Sequence, residues 1–239
     1  MKKLWFVLLV AGVLTGCSKD DGAENGSGNG NNGGSGGNLP ALPALPDPND
    51  VCSAMDDIGF MAYCYENFDV NNDGKVSTVE AAAVRKMRFP VWFYGVGSKW
   101  NNVRSIKGIE YFPNLEEWYG EFYSDADLDY GSVFQYNKKL KELSLDCSAT
   151  SLSVLDLSRF QELEEVDLRN STIRLGTVLL PQTIQQVSCM LIEKLKCYAV
   201  TPPELEVYEY TISTVYVPKE SVSVYKATAP WNKFDIQPL

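Results

Sequence analysis

Apolar triplets of the form Leu-x-x-Leu-x-Leu constrain the second half of this 239-residue chain more than any other feature. They run Leu140/Leu143/Leu145, Leu152/Leu155/Leu157, Leu163/Val166/Leu168 and Leu175/Val178/Leu180. Ile184/Val187/Cys189 and Ile192/Leu195/Cys197 continue the series in degenerate form. The first four are spaced by 11 or 12 residues, and two steps make a repeat of about 23. The last two apolar positions of a triplet are separated by one residue, so a short strand places both on one side. Such a strand cannot bury its apolar side alone and must stack on the turns before and after it.

A period of about 23 lies within the range of leucine-rich repeats. The expected fold class is therefore α/β: a short leucine-rich-repeat solenoid of stacked strands over residues 105–212. Asn114 to Trp118 reads as an earlier, irregular turn. A C-terminal strand-helix cap is expected over 213–239, with a strand at Thr214–Pro218, a helix at Lys219–Ala229 and a closing segment at Phe234–Leu239.

Upstream, residues 49–104 are expected to form a helical module and connector. Asp50 or Ser53 caps a helix running toward Phe68, and Thr78 to Met87 holds strong helix formers. Between them, Asp69-Val-Asn-Asn-Asp-Gly-Lys-Val-Ser-Thr-Val-Glu80 has the spacing of an EF-hand calcium loop. Asp69, Asn71, Asp73, Ser77 and Glu80 supply side-chain oxygens, and Lys75 offers its backbone carbonyl. A hard cation needs six or more oxygens converging on one point, and Gly74 sits where the turn is sharpest. With no second loop to pair with, affinity is expected in the ~10⁻⁴ to 10⁻³ M range of extracellular modules. The predicted cofactor is Ca2+, and its expected role is to stabilise the fold.

Residues 1–16 read as a lipoprotein signal peptide: Lys2 and Lys3 precede the apolar run Leu4 to Leu14, which is too short to span a bilayer. Leu14-Thr15-Gly16-Cys17 resembles a lipobox, which makes Cys17 the expected lipidation site. Ser18-Lys19-Asp20-Asp21 resembles a surface-export signal, so an outer-membrane lipoprotein displayed on the cell surface is expected. Residues 17–48 form the tether, first Gly/Asn/Ser-rich and then Pro-rich from Leu39.

Removing residues 1–16 takes two of the 21 basic residues and leaves 19 against 31 acidic ones, a net charge of −12. That balance excludes nucleic acid as a partner and suits cations or neutral ligands. The chain contains no histidine, which excludes serine and cysteine triads, histidine general bases and His-ligated zinc. Beyond Cys17 there are five cysteines, an odd number with no CxxC; they read as small core residues, with disulfides the alternative for an exported chain.

Ser105 to Phe112, Cys197 to Pro203, Val215 to Val222, Tyr225-Lys226 and Trp231 together resemble leucine-rich-repeat surface lipoproteins of Bacteroidota, similar to the BspA-like proteins. The resemblance covers nearly all of residues 50–239 and implies a right-handed solenoid that acts by contact, in adhesion or in binding host proteins or glycans. No particular ligand carries over. The expected role is a non-enzymatic scaffold contacting a host or cell-surface protein, with the membrane reached through the N-terminal lipid. A glycan-binding accessory of a polysaccharide-uptake system is the alternative. Its candidate contact residues are Trp118, Tyr119, Glu121 and Tyr123, in an acidic and aromatic stretch running from Glu116 to Tyr136. Paired carboxylates in that stretch raise a third option, a glycosidase.

Overall fold

The computed structural model describes residues 41–88, 103–122, 130–147, 153–169, 175–207 and 212–239. In chain order the strands are β1 (Lys86–Arg88), β2 (Glu117–Phe122), β3 (Glu142–Cys147), β4 (Val154–Asp156), β5 (Glu165–Asp167), β6 (Leu175–Leu180), β7 (Gln186–Cys189), β8 (Ile192–Cys197), β9 (Glu204–Val207), β10 (Ile212–Val217) and β11 (Asp235–Pro238). The α-helices are α1 (Ile58–Phe68), α2 (Thr78–Ala83), α3 (Tyr130–Val133) and α4 (Val222–Ala227).

Each apolar triplet places its centre in a strand, and consecutive triplets go to different sheets. One sheet has six strands in the order β1-β2-β3-β5-β7-β9; the other has five, in the order β11-β10-β8-β6-β4. Among the described residues every pairing between these strands is parallel. A step of one triplet carries the chain across to the other sheet, and a step of two brings it back beside its starting strand.

This arrangement overturns the expected short leucine-rich-repeat solenoid with an EF-hand module. In such a repeat the segment after the strand runs as helix or 3-10 helix. Here that segment is itself a strand of a second parallel sheet. The physical reason is that it carries its own apolar triplet. In β6, Leu175, Val178 and Leu180 are buried while Thr177 and Leu179 are half-buried, a strand pattern. The expected helix from Thr78 to Met87 is also cut short. It ends at Ala83, Val84 is extended, and Met87 is drawn into the sheet core.

Register sets the core. Met87, Trp118, Leu143 and Val166 are successive partners across β1, β2, β3 and β5, and Val187 and Leu205 extend the row through β7 and β9. Leu155, Val178, Leu195, Val215 and Ile236 form the matching row of the five-stranded sheet. All eleven are buried in one continuous apolar core.

A repeated hydrogen-bond pattern fixes where β2, β3, β5 and β7 of the larger sheet begin. The carbonyl of Arg85 accepts from the N–H groups of Glu116 and Glu117, that of Glu116 from Lys141 and Glu142, and that of Lys141 from Glu164 and Glu165. Glu164 does the same for Gln185 and Gln186. At the C-terminal end, Tyr225 donates to the Ala199 carbonyl (2.9 Å) and the Trp231 indole N–H donates to the Pro203 carbonyl (2.8 Å). The two rings meet edge to face at 5.1 Å and cover that end of the core.

Because Leu143 is buried in the middle of its row, Leu143→Ala is expected to cost about 2–5 kcal/mol through lost burial and the cavity left behind. Equilibrium urea unfolding checks this.

Candidate functional site

The loop from Asp69 to Glu80 is held by its own side chains. Asp69 accepts from the N–H groups of Asp73 (3.2 Å) and Gly74 (2.9 Å), Asn71 Oδ1 accepts from Asp73 N–H (2.8 Å), and Asp73 accepts from Lys75 N–H (2.9 Å). Gly74 has φ of 82°, a left-handed value that costs glycine nothing. Ser77 caps α2 in a reciprocal capping box with Glu80. One Glu80 oxygen also accepts from the N–H groups of Val70 and Asn71. The Ser77 N–H and hydroxyl, followed by those two loop amides, hold the Glu80 carboxyl below its usual range.

The loop is anchored from outside by Asp50, a buried carboxylate. Its Oδ1 accepts from Cys52 N–H (3.0 Å) and Val76 N–H (3.2 Å), and its Oδ2 accepts from the Tyr65 hydroxyl (2.7 Å). The Val76 carbonyl accepts from Val51 N–H at 2.8 Å. Both backbone groups of Val76 are thereby paired with the 50–51 segment. A Lys75–Asp47 ion pair at 2.8 Å adds a second, exposed tie.

The predicted ligands Asp69, Asn71, Asp73, Lys75, Ser77 and Glu80 thus lie together in one loop, with the side-chain oxygens of all but Lys75 turned to the loop's own N–H groups. Among the described residues, no group of three or more Asp, Glu or Cys side chains is drawn close enough to hold a metal ion. The donor set nonetheless has the chemistry a hard cation takes: oxygen only, three carboxylates, one amide, one hydroxyl and one carbonyl.

The second candidate lies on the outer face of the six-stranded sheet. Residues flanking the buried row point away from the core and align by register. One line runs Lys86, Glu117, Glu142, Glu165, Gln186, Glu204; the other runs Arg88, Tyr119, Ser144, Asp167, Ser188, Glu206. A groove of about 180 Å³ opens between Tyr119, Glu142, Glu165, Asp167 and Arg169. Arg169 donates to both Asp167 oxygens and to Glu206 (2.7 Å). Glu117 pairs with Lys86, and Glu142 accepts from the Tyr119 hydroxyl. Partial burial, then the Glu142 carboxylate, pushes the Tyr119 hydroxyl up to about 12. Glu165 is the crowded member. Partial burial, followed by the carboxylates of Glu142, Glu164 and Glu204, raises its pKa.

The four residues expected to contact a ligand separate. Tyr119 lies at the groove, with the Arg88 guanidinium 4.4 Å from its ring centroid. Trp118 is fully buried against Phe134 (5.2 Å), so its ring belongs to the core and leaves the candidate surface. The backbone of Glu121 is in β2, paired with Asp146 of β3. Tyr123 lies outside the described residues, as do Cys17, the signal segment and the Gly/Asn/Ser tether. Among the described residues no helix is long and apolar enough to cross a membrane.

From sequence Asp50 stood only as a helix cap, and it caps the 3-10 helix Val51–Ala54 while Asp57 caps α1; its hold on the loop, and the alignment of carboxylates across strands, were not read. The usable signal was the pair of residues around each central apolar position, read in every second triplet: Glu142/Ser144, Glu165/Asp167, Gln186/Ser188. Comparison with protein-family models and with curated proteins gives no match to this chain.

Because Glu165 has a folded-state pKa above its unfolded one, its ionisation costs the folded state more than the unfolded state. Stability present below the ordinary glutamate range is therefore lost as pH rises through the folded value. Glu165→Gln is expected to raise the melting temperature at neutral pH and to flatten its pH dependence just above the glutamate range. Thermal melts of both proteins from pH 4 to pH 8 check the sign.

Proposed function

We propose that the chain is a non-enzymatic, calcium-binding interaction scaffold, held at the outer membrane by lipid on Cys17 and displayed on the cell surface. Its contact surface is the outer face of the six-stranded sheet, and its partner is a cationic region of a host or cell-surface protein. The observation that carries this reading is the straight register of outward carboxylates, Glu117, Glu142, Glu165 and Glu204, on strands that share a buried row behind them. A rigid surface with one dominant sign of charge steers and orients an oppositely charged partner.

Contact fits this face better than catalysis because most of its carboxylates are engaged. Glu117 is held by Lys86, Glu142 by Tyr119, and Asp167 and Glu206 by Arg169. A protein partner fits better than a glycan because Arg88 covers one face of the Tyr119 ring, the side a sugar would stack on.

The test compares binding of the full chain to polylysine and to a neutral glycan array. Salt-sensitive polylysine binding is expected to weaken at least several-fold in Glu165→Gln/Glu204→Gln. An equal charge change at Glu193 and Glu220, away from this face, should have a much smaller effect. Equal losses in both pairs would sink the assignment of the face, and glycan binding lost in Tyr119→Ala would favour the glycan reading.

Calcium belongs to the same proposal. Asp69, Asn71, Asp73, Ser77 and Glu80, with the Lys75 carbonyl, would hold the ion, which would tie α1 to α2. The support is the oxygen-only donor set on a loop already anchored through Asp50 and Val76. Calcium at 100 times its dissociation constant is expected to stabilise the chain by about 2.7 kcal/mol. Melting curves with calcium and with chelator read this shift, and Asp69→Ala should abolish it. A shift that survives in the variant would remove the loop from the proposal.

A further inference from the structure

Three turns carry the chain from the five-stranded sheet to the six-stranded one: β4 to β5, β6 to β7 and β8 to β9. They lie side by side, because Leu157 N–H donates to the Leu179 carbonyl (2.9 Å) and Tyr198 N–H to the Leu180 carbonyl (3.2 Å). Each turn is pinned from within. Phe160 of the first is fully buried, the Thr183 hydroxyl of the second donates to the Leu163 carbonyl (2.7 Å), and the carbonyl of buried Ala199 in the third accepts from the Tyr225 hydroxyl. Between the turns opens a cleft of about 330 Å³, lined by Ser158, Gln161, Gln182 and Tyr198. That volume lies at the lower end of the range for small-ligand clefts, roughly 300–1,000 Å³.

The lining differs in kind from the outer face of the six-stranded sheet. All four side chains are polar and uncharged, and among the described residues no charged side chain lines the cleft. The Ser158 hydroxyl donates its proton to Asp156 Oδ1 (2.6 Å), so it meets the cleft as an acceptor. Among the described residues the Gln161 and Gln182 side-chain amides and the Tyr198 hydroxyl have no hydrogen-bond partner. Each amide brings two donors and an acceptor, and Tyr198 is 38% exposed. An ion finds no counter-charge in such a cleft, and an apolar ligand finds one ring among polar groups. A sugar matches both features: its hydroxyls donate and accept as an amide does, and its C–H face packs on an aromatic ring.

We propose that this cleft is a binding site for a neutral glycan. Gln161 and Gln182 hydrogen-bond neighbouring sugar hydroxyls, Ser158 accepts from another, and Tyr198 packs against the face of one sugar ring. The core fixes the backbone of all three turns, so binding orders little beyond the side chains themselves. The site is separate from the charged sheet face, and neither depends on the other.

The test is isothermal titration calorimetry of the full chain with neutral hexasaccharides of glucose, mannose, galactose and xylose, each at low and at high salt. At least one is expected to bind, with an affinity that salt leaves unchanged. Tyr198→Ala and Gln161→Ala/Gln182→Ala are each expected to weaken that binding at least several-fold, while Tyr119→Ala leaves it intact. The three cleft side chains changed are exposed, so these variants should melt as the parent does. Tyr198→Phe keeps the ring and is expected to lose less than Tyr198→Ala. Failure of every sugar to bind, binding unchanged in both cleft variants, or binding abolished by salt overturns the proposal. Binding lost in Tyr119→Ala and kept in the cleft variants places the sugar on the sheet face and overturns it too. Polylysine binding is expected to be equal in Tyr198→Ala and the parent, so this site and the charged face can fail separately.

Discussion

Parallel strands cannot pair through a tight turn; each needs a crossover that brings the chain back in the same direction. From β3 to β10 the crossover from one strand to its neighbour is built from a strand of the opposite sheet. β4 is the path from β3 to β5, and β5 is the path from β4 to β6. Over that stretch neither sheet can be laid down without the other, and one apolar core lies between them. The twin hydrogen bonds to the carbonyls of Arg85, Glu116, Lys141 and Glu164 then fix the register. A slip of one residue would send Leu143 and Val166 outward and bring Glu142 and Glu165 into the core.

Ahead of the sheets, one buried carboxylate holds several pieces in place. Asp50 receives donors from Cys52, Tyr65 and Val76, so the 3-10 helix, α1 and the loop all meet at its two oxygens. Both oxygens of this buried side chain are occupied by donors. Tyr63 extends the arrangement into the sheet: its hydroxyl accepts from Arg88 N–H and donates to the Arg88 carbonyl, both at 3.0 Å. The path from the loop to the outer face of the larger sheet is therefore short, through α1 to β1.

How much of this could be read from residues alone depended on range. The triplets located the strands from β3 to β8 because a strand's alternation is local. They could not say which strands would pair, since a triplet looks the same whether its partner lies one step away or two. That ambiguity is why the expected short solenoid of stacked strands gave way to two parallel sheets. The helix expected through Met87 failed for a related reason. Thr78 to Ala83 has the propensity, but Met87 fills the core position beside Trp118, and packing outweighed propensity. Trp118 itself looked like part of an aromatic surface until register with Leu143 turned it inward. The cluster of oxygen donors from Asp69 to Glu80 was legible because its residues are contiguous, whereas the carboxylate rows come together only when separate strands align.

Glu142 and Glu165 sit on adjacent strands, whose backbones lie about 4.8 Å apart. That is well inside the screening length of about 8 Å at physiological ionic strength. Networks of opposite charge weaken when salt is added, but a row of like charges is relieved by it. Dilution into low-salt water therefore sets β3 and β5 against one another. The cationic partner proposed above would act on the fold as salt does, only at a single place and with its own geometry.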